Sequence, residues 1–263
     1  MKTITKFLIN LTSVGSIVLI ATLNISQLAV VGQPSINTPD RPPNSIPGGP
    51  RFIPPTEGIV EDSGPPTQPG RPVRGGCGSI SQLGLTALVP TNKMGRTVSD
   101  YPTFFFYLPK TEAESAEFIL KDQSGKEIYK QDLTITNLSG VIGVSIPANK
   151  NVPPLELGKS YRWNFTVICN SQDRSADQIE IGTVRRVELS EDIRRQLDQA
   201  DPRQKTVIYA ENGIWQDALS TLAAARRDQP NDTTFKADWE SLLDSVKLGE
   251  IAKEPIVQTQ PQP

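Results

Sequence analysis

Between residues 83 and 187, apolar and polar positions alternate in short runs. From Ser190 to Gly249 the apolar positions instead recur every three or four residues. The first pattern predicts strands and the second helices. Seven runs rich in β-branched and aromatic residues, at 83–89, 103–108, 116–121, 127–135, 141–146, 161–169 and 179–187, are bounded by turn chemistry. Asp122-Gln123-Ser124-Gly125 reads as the tip of a hairpin, and Pro109, Pro147, Pro153 and Pro154 stop strands rather than sit inside them. In the sixth run Tyr161, Trp163, Phe165, Val167 and Cys169 alternate with polar or smaller residues, so period two puts the aromatic set and the cysteine on one face. The run Phe104-Phe105-Phe106-Tyr107 is apolar on both faces. It reads as a central strand covered on both sides, in preference to an aromatic platform for a sugar or peptide.

The helical stretch carries its own punctuation. Ser190 is placed to cap a first helix that has Glu191 and Asp192 in its opening turn. Asp201-Pro202-Arg203-Gln204 combines an N-cap, proline at the first helical position and a residue able to bond back. Ile214, Ala218, Leu222 and Ala225 form the stripe of the next helix. Phe235, Trp239, Leu242, Leu243 and Val246 form that of the last. The chain is therefore read as α+β: an antiparallel, immunoglobulin-like β-sandwich of about seven strands over 73–189, then a helical subdomain of three to four helices over 190–254 packed on it.

The flanks read differently. Lys2 and Lys6 precede an uncharged, largely apolar stretch from Phe7 to Val31, and no charge returns before Asp40. Residues 1–32 are read as a secretory signal, with an uncleaved membrane anchor as the alternative. Residues 33–72 hold 12 of the 23 prolines and are read as a disordered spacer, and 255–263 as a disordered tail. Export places Cys77 and Cys169, the two cysteines of the chain, in an oxidising space. A single disulfide is the simplest reading and two buried thiols the other.

Composition then narrows the chemistry. The chain has 27 basic and 29 acidic residues and no histidine. Balanced charge gives no broad field for nucleic acid, and the absence of histidine removes serine–histidine and cysteine–histidine catalysis and histidine-ligated metal sites. No calcium loop or phosphate-binding glycine motif is present, so no cofactor is expected. Arg185 and Arg186 are candidates for an acidic glycan or lipid head group, and Glu211 and Asp217 flank the Gly213 turn where they could converge. Glu240 and Asp244 share a helix face read as solvated.

Two resemblances carry further. Tyr209, Ala218, Leu222, Ala225 and Pro230 resemble the packing positions of one tetratricopeptide unit. Pro202 stands at its usual tryptophan position and no second copy follows, so the stretch reads as helical-hairpin packing rather than a peptide-binding groove. Over residues 75–256, the ordered segments Leu85–Pro90, Tyr101–Pro109, Ala116–Leu120, Leu155–Trp163, Gly213–Leu219 and Trp239–Leu243 resemble the domain-of-unknown-function 928 family of exported proteins of photosynthetic bacteria. The resemblance implies export and one module of strands then helices, and brings no catalytic residues. The functional expectation is a non-enzymatic periplasmic or envelope binding or scaffold module for a protein or glycan, touching the membrane only through an uncleaved signal. The alternative is a carboxylate-based glycan hydrolase.

Overall fold

Ten strands and four α-helices form from these patterns among the residues described by the computed structural model, which are 48–55, 77, 83–149, 151–257 and 260–261. The signal reading and most of the spacer reading lie outside these residues. The strands are β1 (Thr86–Ala87), β2 (Met94–Thr97), β3 (Thr103–Leu108), β4 (Ser115–Lys121), β5 (Glu127–Thr134), β6 (Gly140–Ser145), β7 (Ser160–Ile168), β8 (Gln178–Arg186), β9 (Ile256–Val257) and β10 (Gln260–Pro261). One sheet runs β1-β3-β6-β9 and the other β10-β5-β4-β7-β8-β2.

The fold is α+β, but the sheets are mixed, which corrects the expectation of an antiparallel immunoglobulin-like sandwich. β2 pairs parallel with β8, and β9 pairs parallel with β6. Parallel neighbours need a long crossover, and the helices between β8 and β9 supply the return path for the second pair. β2 escapes sequence reading because Met-Gly-Arg-Thr has no alternating apolar pattern. The other six predicted runs pair as strands, and the run at 83–89 contracts to Thr86–Ala87.

The two sheets meet through aromatic rings. Phe106 of β3 stacks on Phe165 of β7 with centroids 4.2 Å apart, and Phe104 packs on Phe118 at 4.9 Å. Phe105 and Tyr107, on the opposite face of β3, are also buried. That face is covered by the helical layer, because α3 (Trp215–Asp228) packs on β3. Trp215 is fully buried and its Nε1 donates to the Leu88 carbonyl at 2.7 Å.

The helix boundaries follow the capping chemistry. Ser190 accepts from the Ile193 N–H at the start of α1 (Glu191–Gln199). Asp201 and Gln204 close a reciprocal capping box on α2 (Pro202–Glu211), and Asp232 accepts from Thr234 and Phe235 at the start of α4 (Thr233–Asp244).

Two flanking stretches depart from the expectation of disorder. Ile256–Val257 pairs with Val141–Ile142, and the Val141 N–H donates to the Pro255 carbonyl at 2.7 Å. Gln260–Pro261 pairs with Thr134 and Leu133 at the edge of the other sheet. Both edges would otherwise present unpaired backbone groups, and the tail covers them. Within the predicted spacer, residues 48–55 lie against the helices, for the reasons given next.

Candidate functional site

The helical layer ends in orphan backbone groups, as every helix does. At the end of α2 the Ala210 carbonyl accepts from the Ile53 N–H at 3.0 Å. At the end of α4, Ser245 Oγ donates to the Leu242 carbonyl at 2.6 Å and accepts from the Phe52 N–H at 3.0 Å. The extended stretch 48–55 thus satisfies helix ends with its own main chain. Its anchor is Phe52, whose ring meets Trp215 edge-on at 5.2 Å. Arg203 binds both carboxylate oxygens of the buried Asp238, at 2.6 and 3.1 Å, and donates to the Gly48 carbonyl at 3.3 Å. Close approach explains the glycines. A Cβ on Gly49 would stand 2.8 Å from the Ser241 side chain, and one on Gly213, whose φ is +70°, would stand 2.9 Å from Pro55.

Beyond Pro55 the groove opens into a cleft of about 220 Å³ between β2 and the end of α4. Met94, Pro90, Val246 and Phe52 give it an apolar lining, and Arg96, Arg185 and Lys247 bring positive charge. Arg96 and Arg185 stand opposite each other in the parallel β2–β8 register, which concentrates that charge. An apolar cavity with a few convergent charged groups is the ordinary form of a ligand site.

On the other side of the β2–α3 seam lies a second cleft, of about 140 Å³, with a different character. Asp217 sits in the first turn of α3. Its Oδ2 accepts from the Val98 N–H at 3.1 Å, and the Thr97 hydroxyl also donates to the carboxylate. The Ser99 N–H donates to Thr97 Oγ1 at 3.1 Å, so the strand end is latched to the helix. Burial pushes the Asp217 carboxyl up to about 6 despite these donors.

An aspartate whose folded value lies above its unfolded one stabilises the fold most below about pH 4, and this is lost as pH rises through 6. Asparagine keeps an acceptor for Val98 and Thr97 without the buried charge. Asp217→Asn is therefore expected to match wild type at pH 4 and to exceed it at pH 8, by at most about 3 kcal/mol. Thermal melts at the two pH values check this, and a variant less stable than wild type at pH 8 contradicts it.

The residues singled out from sequence fall in different places. Cys77 and Cys169 form a disulfide with Cα atoms 4.8 Å apart. Arg185 lines the apolar cleft, whereas Arg186 is taken up by Asp100 and the Leu155 carbonyl. Glu211 is exposed and lines neither cleft, so it does not join Asp217 in one site. Glu240 and Asp244 are half-buried rather than solvated and line neither cleft. Sequence reading missed Phe52, which with Ile53 forms a short apolar pair among prolines. It also missed the alternating hydroxyl series Thr97, Ser99, Tyr101 and Thr103, whose period of two was the available signal.

A family model described as Domain of Unknown Function (DUF928) matches residues 69–256. No curated protein matches the chain. Among solved structures, astrotactin-2, described as a conserved vertebrate-specific and perforin-like membrane protein involved in neuronal development, is similar at 12% identity with a TM-score of 0.21. The alignment covers 59% of this chain, which spans 33% of that one.

Proposed function

The chain belongs to the family described as Domain of Unknown Function (DUF928), and since that description names no activity, we propose a function from the chain's own geometry: an exported, non-enzymatic module that binds an extended, proline-flanked protein segment. One observation carries the reading. The groove between the α2 and α4 ends holds the stretch 48–55 through main-chain hydrogen bonds and one aromatic anchor, the mode by which extended peptides are recognised. The adjoining cleft offers apolar room and the cations of Arg185 and Lys247, which suit a segment with an acidic residue beyond its apolar anchor. The α2–α3 pair, likened to a lone tetratricopeptide unit, gains here a neighbour that a single unit lacks, since β2 packs against α3. Export is supported by the basic, then apolar leader and by the Cys77–Cys169 bridge, which suits an oxidising compartment. Binding is favoured over paired-carboxylate hydrolysis because neither cleft described above is lined by two carboxylates.

The own-chain segment competes with any partner at an effective concentration in the millimolar range. Full-length Phe52→Ala, with its groove vacated, is expected to bind a labelled peptide of the sequence Gly-Gly-Pro-Arg-Phe-Ile-Pro-Pro about tenfold tighter or more than wild type does. Fluorescence anisotropy reads the difference. Failure of the vacated chain to bind the peptide overturns the proposal.

A further inference from the structure

The second cleft is lined almost wholly by groups that both donate and accept hydrogen bonds. Thr97, Ser99, Tyr101 and Thr103 come from every second position between β2 and the start of β3. Gln216, Asp217, Ser220 and Thr221 come from successive turns of α3, and Tyr209 comes from α2. Pro102 completes the lining. The sequence builds this convergence simply. Thr97 ends β2, Thr103 begins β3, and Ser99 and Tyr101 come from the bent connection between them, while spacings of three and four set Asp217, Ser220 and Thr221 on one face of α3.

The charge balance limits what the cleft can hold. Asp217 already accepts from the Val98 N–H, the Thr97 hydroxyl and its own N–H, which uses most of a carboxylate's four or so acceptor positions. The cleft is lined by no arginine or lysine. A cation would find its natural partner engaged, and an anion would find no counter-charge. A hydroxyl-bearing ligand, by contrast, needs partners that give and take protons in turn; Ser99 Oγ accepts from the Tyr101 N–H at 3.1 Å and Thr103 Oγ1 pairs with Ser145 Oγ at 2.8 Å, and a hydroxyl's one proton and two lone pairs leave each of them further capacity.

Gln216 belongs to the lining, but its Oε1 is buried against Gly95 with no surface to offer a ligand, and Tyr209 is half-buried at the cleft. Tyr101, whose hydroxyl donates to the Val152 carbonyl at 3.4 Å, and Tyr209 are the aromatic residues of this mainly polar lining.

We propose that this cleft is a binding site for a small neutral polyol, a single sugar residue at the end or branch of a glycan. It is separate from the peptide groove, and neither reading depends on the other. Its volume of about 140 Å³ suits one ring rather than a chain of them. Ser220 is the residue to alter, because it lies on the cleft wall, is half-buried, and has no part in the Asp217 latch.

The test uses the oxidised full-length protein, with amide chemical shifts as the readout. Glucose, galactose, N-acetylglucosamine and glycerol are titrated singly, and ethanolamine and inorganic phosphate serve as the cation and anion probes. The expected result is saturable shifts of the amides of residues 97–103 and 220–221 with at least one sugar, and none there with ethanolamine or phosphate. Ser220→Leu, which fills the cleft, should weaken the sugar about tenfold or more, while Ser220→Thr, which keeps the hydroxyl, should retain it. The shifts of the remaining amides in both variants report that the fold persists. The proposal is overturned by absence of shifts with every sugar, by a response confined to ethanolamine or phosphate, or by sugar binding indifferent to Ser220→Leu. Since the peptide groove is read separately by anisotropy, either reading can fail alone.

Discussion

Replacing both Cys77 and Cys169 with serine is expected to cost about 4–5 kcal/mol of stability, the chain-entropy value for a loop of this length. The two residues are 92 apart in sequence, and the loop between them contains β1 to β7 entire. Cutting the bridge frees the unfolded chain far more than the folded one. In the native state Cys77 keeps other ties, since its carbonyl accepts from the Glu112 N–H at 3.1 Å and the Thr111 hydroxyl at 2.8 Å. The site should therefore hold its shape in the variant, and the loss should appear as a lower denaturation midpoint with an otherwise native spectrum. Guanidinium unfolding of the oxidised wild type beside the double serine variant measures it. Equal midpoints would show that the bridge constrains nothing the fold does not already constrain.

Trp215→Ala is expected to be nearly as costly, at about 3–5 kcal/mol. Trp215 joins three parts of the molecule. Its ring is fully buried on the first turn of α3, its Nε1 holds the Leu88 carbonyl beside β1, and its edge receives Phe52. Truncation leaves a cavity and a buried carbonyl without its donor, which costs more than the packing loss alone. Trp215→Phe keeps most of the volume and gives up the donor together with one ring of the indole, so it weights the lost hydrogen bond more heavily than alanine does. The phenylalanine variant should sit between wild type and alanine in urea unfolding. A phenylalanine variant as stable as wild type would mean that the Leu88 carbonyl finds another partner.

These three residues also show what was legible in advance. The cysteines were readable as a pair because they are the two cysteines of the chain, and the alternation ending at Cys169 put one of them on the core face. Trp215 was visible only as part of a helix stripe, because its indole nitrogen serves a carbonyl 127 residues earlier and no local pattern encodes such a contact. β4 was legible because it buries alternate side chains, Ala116, Phe118 and Leu120, and β3 because it is a continuous apolar run buried on both faces. β2 was not, because it is held by parallel pairing to β8 and by packing on α3. Since both clefts are built on β2, the site was harder to see than the fold. The stretch 48–55 was misjudged for a related reason. Proline and glycine composition argues against a self-contained core, and this segment needs none, since it completes the ends of helices formed far away in sequence. Asp217 was singled out for its position by the Gly213 turn, yet its partners proved to be Thr97 and Val98 rather than Glu211.

The groove account stands or falls on whether the stretch 48–55 occupies the helix ends and can be displaced from them. Hydrogen exchange at the Phe52 and Ile53 amides, followed in the oxidised full-length protein with and without excess Gly-Gly-Pro-Arg-Phe-Ile-Pro-Pro peptide, reads both properties at once. The account predicts amides protected in the protein alone and exchanging faster as the added peptide takes their place. Exchange at the rate of an unstructured chain before any peptide is added, or protection that no amount of peptide disturbs, would contradict it.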